Sequence, residues 1–207
     1  MNKTYNEIVS KIRTGEIKLK GFPYIDIIHY TLNEFPKDKE DSKKVAGTIN
    51  ELLTAGKLHK KGYKVLVTND NNRDYDIIIE KNGKRNVVEC KLDNTAHIHN
   101  NFFFEYWNYT FNRPTGINNS DLNTIYAHTY YNKEKGKYYL LIGKRRLFIE
   151  AIQNILSKEQ NDIKGYEHSY YTYKGITGDK AYIVKKDTFI KYFKGYHSEL
   201  EPSFRWK

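Results

Sequence analysis

Cysteine is almost absent from this chain of 207 residues, whose one thiol belongs to Cys90. A single cysteine excludes an internal disulfide framework and the Cys-rich classes of zinc module. Long apolar runs are missing as well, because the first twenty residues alternate charged and apolar side chains and no stretch approaches the roughly 20 residues that cross a bilayer. We therefore expect a soluble, cytoplasmic protein that makes no use of a membrane.

Glycine-rich phosphate loops are also missing, since Gly143-Lys144-Arg145-Arg146 lacks the glycine spacing of a P-loop or a dinucleotide-binding loop. Positive charge, in contrast, is plentiful: Lys+Arg 35 against Asp+Glu 25 gives a net charge of +10. Such a surplus favours polyanionic partners through phosphate contacts. An AT-rich genome also enriches lysine, asparagine, isoleucine and tyrosine. Because lysine carries most of the charge, the composition indicates nucleic acid in general and gives little sign of base-specific recognition.

The length fits one compact domain with appendages. Helical spacing of apolar residues over 4–14 and 25–35 predicts a helical N-terminal extension, residues 1–40. The predicted core spans residues 41–157, and a small C-terminal strand–helix appendage, residues 158–207, is expected to pack on it.

Within the core, a helix over about residues 43–60 is predicted, with Asp41 or Ser42 as its cap. The fold class is α/β, with one mixed central sheet flanked by helices. Its predicted strands lie near 63–67, 75–80, 85–91, 102–111 and 125–131, and a second helix lies near 144–157.

The dipeptide Asn82-Gly83 separates two strand-like segments and predicts a two-residue β-hairpin, because a type I′ turn needs two positive φ angles. Lys81 then lies opposite Lys84, partner numbers sum to 165, and Asp76 pairs with Glu89. Alternation predicts one apolar face and one polar face. The polar face holds Asp74, Asp76, Ile78, Val87, Glu89 and Lys91, and the apolar face holds Ile77, Ile79, Val88 and Cys90.

Two opposed carboxylates destabilise a sheet unless something offsets their charge, and a divalent cation would do so. Carboxylate oxygens are hard ligands that suit Mg²⁺, for which Mn²⁺ can substitute. Lys91 lies on the same face, two residues after Glu89, where its ammonium can hold or deprotonate an attacking water. Asp76, Glu89 and Lys91 therefore indicate metal-dependent phosphodiester hydrolysis. The other interpretation of the three is a surface ion-pair ladder.

Residues 47–91 resemble the core of the PD-(D/E)XK nuclease superfamily, whose fold is restriction-endonuclease-like. The matching residues are Glu51, Leu58, Gly62, Tyr63, Asp76 and the run Val88-Glu89-Cys90-Lys91. The resemblance implies that Asp76 and Glu89 bind the metal, with the backbone carbonyl of Cys90 as a further ligand. It also implies that Lys91 is the catalytic lysine and that Glu51 joins the metal site.

Downstream, Asn101-Phe102-Phe103-Phe104-Glu105-Tyr106 and Arg113-Pro114-Thr115-Gly116-Ile117 resemble a branch of this family that is common in bacteriophages. A bacterial or phage-encoded protein is therefore expected. Asp74, His97, His99 and Glu105 are candidates for substrate contacts or for support of the metal ligands. For each of the four, an ordinary solvent-facing or structural role is the alternative.

The sequence thus predicts a Mg²⁺-dependent endonuclease that hydrolyses DNA, with branched DNA and RNA as open substrates. Homodimers are frequent in the family that the chain resembles, so a homodimer is a further possibility. The alternative function is a nucleic-acid-binding module that keeps the fold without turnover, its lysines holding phosphates.

Overall fold

A computed structural model describes residues 39–68, 75–93, 95–119, 121–172 and 175–200. The predicted N-terminal helices and Asp74 lie outside these described residues. The helices are α1 (Lys39–Lys60), α2 (Ala96–His99), α3 (Arg145–Lys158) and α4 (Lys186–Tyr192). The strands are β1 (Lys64–Val67), β2 (Ile77–Lys81), β3 (Lys84–Asp93), β4 (Asn101–Asn108), β5 (Arg113–Pro114), β6 (Ile125–Asn132), β7 (Lys137–Lys144), β8 (Ile163–Thr172), β9 (Gly175–Lys185) and β10 (Tyr196–Glu199).

The chain divides into two compact units. The first holds the described residues up to Leu92 together with Glu199 and Leu200, and the second runs from Asp93 to Ser198. The predicted boundaries near residues 40 and 157 stay predictions.

Helix α1 forms the helical part of the first unit and begins at Lys39, four residues before the predicted start. The four residues before the predicted start, Lys39 to Ser42, contain neither glycine nor proline, so nothing in them stops a helix, and acidic residues are favourable in a first turn. The helix ends where Gly62 adopts a positive φ of 83° and its N–H donates to the carbonyl of His59. Glycine takes this left-handed conformation without steric cost, so the chain can turn directly into β1.

The strands of the first unit are neighbours in the order β1, β2, β3, and both pairings are antiparallel. Along β2 and through the middle of β3, buried side chains alternate with partly exposed ones, and Ile77, Ile79 and Val88 are almost fully buried. Alternation of this kind places one face of a sheet against a core. Leu53, Ala55 and Leu58 are the buried apolar side chains in the C-terminal half of α1.

The second unit contains two groups of strands. Strands β6, β7 and β10 are neighbours in that order, and a four-stranded sheet has the order β5, β4, β9, β8. The prediction that the strand near 102–111 belongs to the central sheet is therefore wrong: β4 pairs with β9 from Asn101↔Lys185 to Asn108↔Asp179. Hydrophobic alternation identifies a strand but not its partner, and β9 follows β4 by more than sixty residues.

The core of the second unit is aromatic. Phe102 and Phe104 of β4 are fully buried, and their rings lie 5.6 Å and 4.6 Å from the ring of Phe189 in α4. Phe148 of α3 contacts Phe104 and Tyr126 in edge-on geometry, at 5.9 Å and 5.0 Å. Such ring pairs add directional contacts to the burial of apolar area, so α3 and α4 are held on the sheet in defined positions.

The predicted α/β class is confirmed at this coarse level: strands predominate and helices are few among the described residues. No helix in the described part of the chain is both long and apolar enough to cross a membrane.

Candidate active site

The Asn82-Gly83 hairpin forms as the sequence predicts. Asn82 and Gly83 have φ angles of 53° and 72°, and the ladder runs in register from Lys81↔Lys84 to Ile77↔Val88. Every pair sums to 165, as expected for a two-residue loop. The hairpin therefore fixes which residues of β2 and β3 share a face.

Asp76 departs from the predicted pairing because the ladder ends at Ile77↔Val88, one pair before Asp76 and Glu89. The Asp76 amide donates to the carbonyl of Val88 (2.9 Å), and Oδ2 of Asp76 accepts a hydrogen bond of 2.6 Å from the amide of Cys90. The carboxylate is thus fixed against the β3 backbone at the residue between Glu89 and Lys91. A backbone N–H is a rigid donor, so this side chain is held in place.

Glu89 and Lys91 point to the partly exposed face of β3, as predicted from alternation. Nζ of Lys91 lies 3.0 Å from Oε1 of Glu89, and the two side chains are 40% and 13% exposed. The lysine can be reached from solvent while the glutamate is largely covered. A largely covered carboxylate therefore lies beside an accessible ammonium.

The positive charge of Lys91 does not fully offset the effects of burial and of Glu89 on the carboxylate of Asp76. Burial raises the pKa of Asp76 above its ordinary value, and the charge of Glu89 raises it further. The Cys90 hydrogen bond and the charge of Lys91 lower the pKa of Asp76 but do not cancel the rise. A carboxylate in this position gains stability from any additional positive charge, so the site favours a cation.

The pKa of the Cys90 thiol responds to burial and to three nearby carboxylates. Burial raises its pKa well above the ordinary value, and the charges of Asp76, Glu51 and Glu89 each raise it further. Glu51, from α1, is therefore close enough to Cys90 to act on its thiol. Because the thiol stays protonated at neutral pH, it is neither a nucleophile nor a metal ligand, as its predicted place on the apolar face implied.

Asp76 and Glu89 supply the kind of ligand set that Mg²⁺ uses, one or two carboxylates with water in the remaining positions. Within the described part of the chain, no three His, Cys, Asp or Glu side chains are grouped closely enough to hold a metal ion. Glu51 is therefore not gathered with Asp76 and Glu89 into a three-carboxylate cluster. The donors fit Mg²⁺ as a two-carboxylate site with Glu51 nearby, and a carbonyl ligand from Cys90 stays a prediction.

The remaining candidates belong to the second unit. His97 and His99 are exposed on α2, and Glu105 lies on β4 with a partly covered side chain. The carbonyl of Glu105 would lie 2.4 Å from a Cβ placed on Gly116, whose φ is +53°. The glycine of the Pro-Thr-Gly turn is thus needed for close approach of two backbone segments.

Thr68 is a residue that the sequence analysis did not identify. Its amide donates to the carbonyl of Asp76 (2.8 Å), and its hydroxyl lies 3.0 Å from both that carbonyl and the carbonyl of Tyr75. The residue after β1 therefore holds the backbone of Asp76. A threonine directly after a strand, before a polar turn, is the sequence signal for such a bond.

Asp93, at the end of β3, was also missed. Oδ1 accepts from the amides of Thr95 and Ala96, Oδ2 accepts from the amide of Phe103, and each of these distances is 2.9 Å. Nε2 of His128 lies 3.4 Å from Oδ2, and both side chains are at most 2% exposed. Burial opposes ionisation, but His128 and the amides lower the pKa of Asp93 below its ordinary value, so the carboxylate is charged.

Comparisons with known proteins do not assign a family. No family model matches this sequence, and neither does any curated protein. Among solved structures, the chain is similar to a bacterial homing endonuclease, with 17% sequence identity and a TM-score of 0.35 over 51% of this chain and 67% of that one. Membership of the PD-(D/E)XK superfamily stays a prediction.

Proposed function

We propose that this protein is a Mg²⁺-dependent endonuclease that hydrolyses phosphodiester bonds in DNA. The observation that carries the proposal is the geometry of three residues. The carboxylate of Asp76 accepts a hydrogen bond from the amide of Cys90, Glu89 directly precedes Cys90 on β3, and the ammonium of Lys91 lies 3.0 Å from Oε1 of Glu89. The net charge of +10 supports a polyanionic substrate.

Asp76 and Glu89 would hold the cation, and the bound cation would polarise a phosphate oxygen and lower the pKa of a water. The protein's own contribution is placement. Because the Cys90 amide donates to Oδ2 of Asp76, the carboxylate would already be oriented when a cation binds. Lys91, 40% exposed, can leave Glu89 when a cation binds there. Its ammonium would then orient the attacking water or stabilise charge on the phosphate.

The test is cleavage of supercoiled plasmid with Mg²⁺ or Mn²⁺, followed by gel electrophoresis. We expect Lys91→Ala and Asp76→Ala to lower the rate by about 10²- to 10³-fold, the loss that removal of one charge-stabilising group causes in other enzymes. Lys84→Ala is the matched control, because Lys84 is an exposed lysine at the other end of β3.

A second matched pair tests the carboxylate. Glu80, like Glu89, is a strand glutamate with a lysine partner, Lys64 at 3.8 Å. Glu89→Gln should abolish metal-dependent cleavage, whereas Glu80→Gln should leave it unchanged. Full activity in both Lys91→Ala and Asp76→Ala would refute the site. Competition among supercoiled, branched and single-stranded DNA and RNA then identifies the substrate, and salt-sensitive binding without any cleavage would favour the binding module.

A further inference from the structure

The short helix α2 presents an apolar side chain to solvent. Ile98 is 63% exposed, the largest value for a large apolar side chain among the described residues. The residues on either side of it, His97 and His99, are exposed, as is Asn100, which ends the turn in a left-handed conformation with φ 52°. The turn therefore offers one apolar side chain whose neighbours along the chain carry hydrogen-bonding groups, and the ring of His97 lies edge-on to that of Tyr131 at 5.8 Å.

The turn is held firmly at both ends. At its start, the buried carboxylate of Asp93 accepts hydrogen bonds from the amides of Thr95 and Ala96 and from the Thr95 hydroxyl. At its end, the carbonyl of Asn100 accepts a hydrogen bond of 3.0 Å from the amide of Lys186. Exposure of Ile98 is thus imposed by the fold, and a partner would bind it at little cost in conformational entropy.

We propose that α2 is a DNA-contact element in which Ile98 inserts between base pairs of duplex DNA while His97 and His99 donate hydrogen bonds to neighbouring phosphates. Proteins that bind the minor groove insert single apolar side chains between base steps in this way. Imidazole N–H groups are suitable phosphate donors, and the basic composition of the chain complements DNA. The inference rests on the proposed action on DNA and adds a residue that deforms the substrate.

A protein partner fits this turn less well. Stable protein interfaces bury on the order of 1,000 Å² or more, with an apolar centre made by several residues. Here the exposed neighbours of Ile98 along the chain are all polar, namely Thr95, His97, His99 and Asn100. A single projecting isoleucine matches the size of a wedge between two base pairs.

The experiment measures binding of the full chain to a labelled duplex in EDTA, so that cleavage does not intervene. One duplex carries 2-aminopurine, whose fluorescence rises when the base unstacks. We expect Ile98→Ser to weaken binding by about tenfold or more and to abolish the fluorescence rise. Ile98→Leu should retain both signals, because its volume and hydrophobicity are conserved. The matched control is Leu156→Ser on α3, where the leucine is 42% exposed.

Wild-type affinity in Ile98→Ser, or an equal loss in Leu156→Ser, would overturn the inference. So would a change in oligomeric state with unchanged DNA affinity, because the turn would then be a protein interface. The outcome is separable from that for the endonuclease. Lys91-dependent cleavage with normal binding by Ile98→Ser removes this inference alone, and unstacking without metal-dependent cleavage removes the endonuclease alone.

Discussion

Replacement of Asp93 by alanine should destabilise the protein more than replacement of any exposed aspartate. The change leaves the amides of Ala96 and Phe103 without an acceptor in a covered environment, and each lost acceptor costs about 1–3 kcal/mol. It also removes the carboxylate oxygen that lies 3.4 Å from Nε2 of the buried His128. The two lost acceptors together cost about 2–6 kcal/mol, so we expect a total near the middle of that range, about 3–5 kcal/mol.

For a chain of this length, that loss lowers the melting temperature by about 6–20 °C. Circular dichroism and urea titration measure it. Asp121→Ala is the control, because Asp121 also accepts from a backbone amide and a hydroxyl, those of Asn123 and Thr124, but is exposed. A loss for Asp93→Ala within about 1 kcal/mol of the loss for Asp121→Ala would refute the argument that burial makes these hydrogen bonds strong.

The sign of the pH dependence is a further part of this prediction. Because the pKa of Asp93 is lowered in the folded protein, its contribution to stability is present above the ordinary carboxylate pKa and is lost as the pH falls through the lowered value. The stability difference between wild type and Asp93→Asn should therefore shrink in strong acid. A difference that stays constant from pH 7 to pH 2 would contradict an ionised Asp93.

Three other predictions concern backbone and charge. The pKa of Asp76 is raised in the folded protein, so its contribution to stability is full below the ordinary carboxylate pKa and is lost as the pH rises through the raised value. The melting temperature of Asp76→Asn should therefore exceed that of the wild type at pH 7, and the difference should be smaller at pH 4. The variant should also lose any stabilisation by Mg²⁺. Gly116→Ala should lower the free energy of unfolding by about 2–4 kcal/mol, because its Cβ would lie 2.4 Å from the Glu105 carbonyl. Gly83→Ala is the control and should cost about 1 kcal/mol, because its Cβ would meet nothing within 4 Å. Equal losses of stability on urea titration would contradict the clash at Gly116. Thr68→Val should lower stability by only about 1 kcal/mol but slow plasmid cleavage about tenfold with little change in KM, and an unchanged rate would exclude a positioning role.

The hairpin was predictable because its determinants are local. The Asn82-Gly83 turn and the alternation of isoleucines on β2 fix register, loop length and the two faces. The predicted neighbourhood of Asp76, Glu89 and Lys91 follows from that register. The early end of the ladder does not, because it depends on a side chain that bonds to the Cys90 amide instead of continuing the strand.

Non-local contacts account for what the sequence did not predict. Asp93 and His128 are 35 positions apart, and each taken alone has the pattern of an ordinary loop or strand residue. Strand β8 has little apolar alternation, since its first residues are Ile163-Lys164-Gly165-Tyr166-Glu167, and it becomes a strand by pairing with β9. In both cases a partner elsewhere in the chain determines the structure, and no local sequence pattern identifies that partner.

Because Cys90 is buried, thiol labelling can measure local opening of the first unit. The thiol is buried, protonated and the sole cysteine of the chain. A thiol-reactive reagent can modify it only when the first unit opens, because the reaction requires an exposed thiolate. The rate of labelling therefore reports the opening free energy of β3, the strand that holds Glu89 and Lys91 and whose Cys90 amide donates to Asp76, with no engineered substitution and no contribution from any other residue.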